Sequence, residues 1–223
     1  MHTAYATACA AAVIAGCVGT ASAQVVDIYF SDFENTDGGW VGSGSGNFAG
    51  DWEYEANYDP SLYAGAYQAV PSAFSGTGMW GTLMYDDHTN SGEFSYLRQT
   101  FDFSGFTDVS LSFASWSHVF TNFDYTQVNV NGTLVASSRS TDPVQQLTNE
   151  SSGALTGQWV TETIDLSDFD GEAIVEIEFL LFATTVVNRP GWYIDDVRIS
   201  GIPTPGTAGL VALAGLSAVR RRR

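Results

Sequence analysis

The chain has 223 residues and a formal net charge of −17, from 25 carboxylates against eight arginines and no lysine. Four arginines close the sequence at 220–223, so the stretch 24–202 sets Arg98, Arg139, Arg189 and Arg198 against every acidic residue. Such a surface repels polyphosphates and anionic lipid headgroups, which excludes nucleic acid and anionic membrane as ligands, and it attracts divalent cations, as a surface adapted to salt also would.

Residues 1–23 read as a secretory leader: a small-residue apolar stretch ends in Ala21-Ser22-Ala23, with cleavage expected before Gln24. Ile14-Ala15-Gly16-Cys17 offers a rival, a lipobox in which Cys17 becomes the lipidated N-terminus. Both mean export. Cleavage after Ala23 removes Cys9 and Cys17, the only cysteines. The domain 24–202 then has no disulfide and depends on its core, on a bound metal, or on both. Its 179 residues suffice for one sandwich-sized unit.

From Val26 onward the pattern is β. Val26, Ile28 and Phe30 share one parity, which continues to Asp32 and Glu34. "GSGSGNFAG" (42–50) and "PSAFSGTG" (71–78) read as loops. "MWGTLMYDDHTNSGEFSY" (79–96) is chemically mixed: Asp86, Asp87, His88, Asn90 and Glu93 sit in an expected loop flanked by Trp80 and Tyr85. Rings beside carboxylates and amides suit a sugar, and a plain polar hairpin loop is the competing reading. Trp52, Tyr54, Tyr58, Tyr63 and Tyr67 could add further rings or cover the sandwich.

"VSLSFASW" and "AIVEIEFLLF" alternate with period two, placing Val175, Ile177, Phe179 and Leu181 on one face and Glu176 and Glu178 on the other. "YTQVNVNGTLVAS" is a hairpin signal, with Asn131-Gly132 supplying the positive φ values of a type I′ turn. Phe101-Asp102-Phe103-Ser104-Gly105-Phe106 and Ile164-Asp165-Leu166-Ser167-Asp168-Phe169 repeat one pattern. They are read as corners in which Asp and Ser oxygens turn onto local N–H groups while Phe seals the sandwich end. In the closing "RPGWYIDDVRIS" (189–200), uninterrupted alternation puts Asp195 on the apolar face of Tyr193, Val197 and Ile199. About ten to twelve short strands with frequent turns imply an all-β antiparallel sandwich of jelly-roll type.

The tail 203–223 has three parts: Pro203-Thr204-Pro205, an apolar run of 12 residues from Ala208 to Val219, and the arginine cluster. The run is short of the roughly 20 residues that a spanning helix needs. This ending resembles the PEP-CTERM-type sorting signals of Gram-negative bacteria, with Thr204 where Glu is usual. The resemblance implies an exosortase-type processing enzyme, transient membrane association through the tail, and delivery to the cell surface or extracellular matrix.

A carboxylate thus continues an apolar face in both the first and the last strand. Chain ends of a domain tend to lie close together. Glu34, Asp195 and one of Asp32 or Asp51 around a single point would bury several negative charges, at great cost unless a cation joins them. Calcium, which takes about 6–8 oxygens, is the natural cation; the competing reading ties Asp195 to Arg189 or to backbone N–H groups. "DFENTDGGW", "SYLRQTFDFSGFTDVSLSFASW", "WVTETIDLSDFDGEAIVEIEF" and "GWYIDDVRIS", in that order, resemble the MAM-like and cleaved-adhesin-like jelly-roll domains (a concanavalin-like sandwich) of secreted bacterial proteins. The resemblance implies a structural calcium held by Glu34 and Asp195, with Asp196 as a further candidate.

No nucleophile elbow stands in a strand–helix context, and Asp87-His88 has no evident serine partner. Glu176 and Glu178 lie about 7 Å apart along a strand, near glycosidase spacing, although a solvated strand face yields the same pair. The expectation is therefore an exported, non-catalytic binding or adhesion module whose partner is an extracellular glycan or surface protein. The alternatives are a polysaccharide-active enzyme and a structural matrix protein.

Overall fold

The computed structural model describes residues 24–67, 70–121, 123–149 and 158–204. The leader and the tail from 205 onward lie outside the described residues, and with them the expectations on processing and sorting. Two sheets face each other. In the first, β10 (Val160–Asp165), β6 (Phe106–His118), β12 (Gly191–Pro203), β4 (Met79–Thr82) and β3 (Trp52–Glu55) lie in that order, and β1 (Val26–Ser31) also pairs with β12. In the second the order is β2 (Val41–Gly44), β5 (Phe94–Phe101), β11 (Val175–Phe182), β7 (Tyr125–Val130), β8 (Thr133–Ser137) and β9 (Gln145–Gln146). Every pairing is antiparallel except β8 with β9. The protein is an antiparallel β-sandwich of jelly-roll type. Among the described residues no helix is long and apolar enough to cross a membrane.

The inward positions of both sheets interdigitate around Phe113, Phe179, Trp192 and Ile194, all at most 1% exposed. Each such side chain contributes about 1.5–3 kcal/mol through burial. The hairpin signal is realised between β7 and β8, where Asn131 (φ 49) and Gly132 (φ 74) both sit in the left-handed region. Both corners form as expected: Ser104 N–H donates to Asp102 Oδ1 at 2.8 Å, and Ser167 N–H to Asp165 Oδ1 at 2.9 Å. Phe106 and Phe169 pack partly buried against the core.

Two expected faces are corrected by bulges. On β12, Asp195 pairs with Ala114 and Arg198 with Ser112, so Asp196 and Val197 together oppose Phe113. Asp196 adopts φ 48, which switches the alternation. Tyr193 and Asp195 therefore face outward from the sandwich, while Val197 and Ile199 face in. On β1 a shift between Asp27 and Tyr29 leaves Phe30 facing outward, 45% exposed, opposite Arg198. The glycine-rich stretch also differs from expectation: residues 41–44 form edge strand β2, in which Gly42 admits the Trp52 carbonyl.

Residues 56–67 and 70–78 fold over one end of the first sheet's outer face. They build a second, smaller core of Tyr58, Met79, Met84, Trp116 and Tyr193. Gly81 is part of that fit, because a Cβ there would collide with the Tyr193 ring. The other end of the face, around Phe30 and Arg198, stays open.

Candidate functional site

On the outer face of the second sheet, strand pairing sets Phe94, Phe182 and Tyr125 side by side across β5, β11 and β7. Tyr96 extends the row along β5. Its ring stacks on Phe94 at 6.1 Å between centroids, Phe94 meets Phe182 at 5.1 Å, and Phe182 meets Tyr125 at 5.0 Å. A guanidinium covers each end: Arg98 lies 3.9 Å over Tyr96 and Arg139 5.2 Å over Tyr125. All four rings are half-buried, and burial raises the pKa of both tyrosines. Amides and carboxylates border this ribbon. Asn129 donates to Glu178 at 2.8 Å, and Gln127 to Asp142 at 3.2 Å. The row is not flat, since Phe94 and Phe182 are inclined by 45°, but a line of half-exposed rings flanked by hydrogen-bonding groups can pack against an extended apolar face and grip the hydroxyls along its edge.

Glu178, one of the two strand carboxylates, is engaged by Arg98 through its Nε at 2.6 Å, while Glu176 is exposed. The four rings escaped the sequence reading, although a signal existed. Phe94 and Tyr96 share the parity of Arg98, and Phe182 shares that of Glu176 and Glu178, so all sit on the polar face.

On the opposite side of the molecule the bulge at Asp195–Asp196 lies where β12 passes its edge from β4 to β1. Residues 74–78 fill that break, and three of the four carboxylates expected to hold metal converge on them. Asp195, fully buried, accepts from Ser75 N–H at 3.0 Å and Asp196 N–H at 2.7 Å. Asp196 accepts from the Ser75 hydroxyl at 2.8 Å. Glu34 accepts from Thr77 N–H at 2.8 Å and Gly78 N–H at 2.7 Å. Asp32 does not reach the loop; it accepts from Glu34 N–H at 3.3 Å. Asp51 lies elsewhere, held by Thr89. Burial pushes the Asp195 carboxyl up to about 7, against the lowering effect of its N–H donors. Among the described residues no three His, Cys, Asp or Glu side chains form a group able to hold a metal by themselves. Glu34, Asp195 and Asp196 thus bring three hard-oxygen carboxylates to one loop, and in this arrangement Asp195 and Glu34 are met by backbone N–H donors and Asp196 by the Ser75 hydroxyl.

Most of the expected ligand-binding loop serves as internal fastening. Trp80 is 6% exposed in the core and donates its indole N–H to the Asp37 carbonyl at 2.9 Å. Tyr85 stacks on Tyr58 at 5.5 Å. Asp86 is exposed and caps Asp87 N–H at 2.8 Å. Asp87 accepts from the Tyr63 hydroxyl and, at 3.1 Å, from Ala66 N–H. His88 is fully buried, its Nε2 3.5 Å from Asp124 Oδ2, and closed to any substrate. Asn90 donates to Asn188 at 2.6 Å. Glu93, exposed and bonded to the Ser45 hydroxyl, adjoins the ribbon through Phe94.

No family model matches the chain. A curated relative, bacillopeptidase F of Bacillus subtilis (strain 168), is 30% identical over 175 residues, which is 77% of this chain and 10% of that protein. The chain thus spans about a tenth of the length of that relative. Among solved structures, the CBM22-1 xylan-binding domain of Paenibacillus barcinonensis Xyn10C is 12% identical, covering 82% of this chain and 99% of that one, with a TM-score of 0.46. The K1 cleaved adhesin domain of Lys-gingipain from Porphyromonas gingivalis W83 is 13% identical over 79% of this chain and 97% of that one, with a TM-score of 0.46. TmCBM61 in complex with β-1,4-galactotriose is 14% identical over 72% and 87%, with a TM-score of 0.41.

Proposed function

We propose that the protein is an exported, non-catalytic carbohydrate-binding module that works in adhesion at the cell surface or in the extracellular matrix. The observation that carries this reading is the aromatic ribbon. Four half-exposed rings lie in a row on a sheet face, capped by two of the domain's four arginines. An ordinary solvated sheet face has no need of such a row, whereas an extended neutral oligosaccharide matches its apolar character and its polar margins. Adjacent strands stand about 4.8 Å apart, so three strands present a strip of roughly 10 Å, enough for more than one sugar ring.

The proposal includes the expected processing: a leader in 1–23, a tail in 203–223 handled by an exosortase-type enzyme, and a Gram-negative-type host. It also includes a structural calcium at the carboxylates around 74–78. There Glu34, Asp195 and Asp196 would hold the ion, and its charge would offset the buried Asp195 carboxylate and its two part-exposed neighbours. The present cradle of N–H and O–H donors already fixes the loop; the cation would remove the remaining cost of the buried charge.

A glycan array probed with the full chain tests the reading, with a Tyr96→Ala/Phe182→Ala double variant as control. Binding to a restricted set of neutral oligosaccharides, lost in the double variant, is expected. An array with no specific signal, or one unchanged by removing the rings, overturns it. The tail is tested by intact-mass measurement of protein recovered from its host.

A further inference from the structure

The open end of the first sheet's outer face contains a recess of about 200 Å³. Its floor comes from strand register: Phe30 on β1 pairs with Arg198 on β12, Arg198 with Ser112 on β6, and Ala114 with Thr161 on β10. One wall is Phe74, carried by the segment that the carboxylates of Glu34, Asp195 and Asp196 fasten down. Asp196 lines the same wall. Phe74 contacts Trp159 edge-on at 6.0 Å, and the Trp159 indole N–H donates to the Ser72 carbonyl at 2.9 Å, so this wall is braced from behind.

Two features separate the recess from incidental surface. Phe30 and Phe74 are 45% and 46% exposed and face one hollow, where single exposed apolar residues are normally scattered. In addition, Arg198 is fixed in place: its guanidinium lies 4.3 Å over the Phe30 ring and pairs with Asp27. The hollow thus combines two rings, a guanidinium, a carboxylate and the hydroxyls of Ser112 and Thr161.

We infer that this recess is a second sugar site, taking a single neutral pyranose unit such as a chain end. The inference rests on the carbohydrate-binding reading of the protein and adds to it a separate place and a separate ligand size. Charge selects against other occupants. Arg198 is already matched by Asp27, Asp196 adds a negative charge, and the whole chain carries −17, so an acidic sugar or phosphate is repelled. Volume selects too: about 200 Å³ is smaller than the roughly 300–1,000 Å³ of pockets for drug-sized ligands, and a peptide segment does not fit. A ring with alternating apolar C–H and hydroxyl groups satisfies both the phenyl rings and the polar rim.

The recess and the ribbon lie on opposite outer faces of the sandwich. One polysaccharide segment cannot lie on both, so occupation of both sites joins two chains. A protein with two such sites cross-links a glycan matrix rather than merely coating it.

The test uses the full chain, the methyl glycosides of glucose, galactose, mannose and xylose, and the oligosaccharide selected on the array. Ligand-observed NMR and calorimetry read the binding. At least one methyl glycoside should bind the wild type and the Tyr96→Ala/Phe182→Ala variant with equal affinity. Binding of that glycoside should fall at least tenfold in Phe74→Ala and in Thr161→Trp, which fills the hollow from an exposed position and keeps the fold testable should Phe74→Ala melt early. Oligosaccharide binding at the ribbon should be unaffected by Thr161→Trp. Wild type that binds none of the four glycosides, or glycoside binding abolished with the ribbon and indifferent to Thr161→Trp, overturns the second site. Oligosaccharide binding that persists in the Tyr96→Ala/Phe182→Ala variant, with glycoside binding as expected, overturns the ribbon alone, so the two failures are distinct.

Discussion

Asp195 makes the stability of the protein depend on pH in a direction opposite to that of most carboxylates. Its carboxyl is fully buried and titrates at about 7, against about 3.9 in an unfolded chain. The folded state therefore holds this proton more tightly. The stabilisation it brings is complete below about pH 4 and is lost as pH rises through 7. Three pK units at about 1.36 kcal/mol each amount to about 4 kcal/mol, a large part of the roughly 5–15 kcal/mol that holds a domain folded. For a domain of this size that corresponds to a fall in melting temperature of about 10 °C. Differential scanning calorimetry in chelator, at steps between pH 4.5 and 8, should show that decline. Asp195→Asn should flatten it, at a constant cost of about 1–3 kcal/mol because the amide presents N–H to an N–H donor. Excess calcium should reverse the slope, because the ion binds only the ionised carboxylates of the folded form. A slope in chelator that survives Asp195→Asn refutes the burial reasoning. A melting temperature at pH 7.5 indifferent to calcium refutes the metal.

Phe182→Ala, in the middle of the ribbon, should abolish oligosaccharide binding in calorimetry while costing only about 1–3 kcal/mol in urea unfolding, since the ring is half-buried. Gly76→Ala should be far costlier than Gly132→Ala, although both glycines have positive φ. A Cβ at 132 meets nothing and costs about 1–2 kcal/mol of backbone strain, whereas at 76 it also evicts the Glu34 carboxyl from its two N–H donors, adding about 1.5–3 kcal/mol. Equal unfolding midpoints for the two would contradict the role given to Glu34. Glu34→Gln should lower the affinity of the Phe74 recess for its methyl glycoside and leave ribbon binding unchanged, as read by the same NMR titration.

What could be read from the residues was local. Asn131-Gly132 and the two Asp–Ser corners act through neighbours in the chain, so their turn chemistry is written where they occur. Glu34 and Asp195 do meet one loop, but through its backbone N–H groups, which for Asp195 is the competing reading of the sequence. The faces around them were not legible. Period-two counting assumes an unbroken ladder, and Asp196 breaks it by adopting a left-handed conformation at the point where β12 exchanges β4 for β1. That exchange is a property of three strands together. The same holds for Gly42, whose strand character comes from pairing with Leu97 on β5. The ribbon needed the order of β5, β11 and β7, which no single strand contains. His88 and Trp80 looked available in a polar stretch, but Trp80 points into the core between the sheets and residues 188–189 close over His88.

The pairing of Val26 with Gly201 has a mechanical consequence. The polypeptide comes in and leaves on neighbouring antiparallel strands, within about 5 Å. Tension applied between those two points peels β1 from β12 one rung at a time, the weak mode of loading. Tension between a grip on either face and the point where β12 leaves is borne differently, because β12 is flanked along its length by β6 on one side and by β4 and then β1 on the other. Its rungs are then strained together rather than in succession. A fold loaded between one face and the end of β12 resists where the same fold stretched end to end gives way.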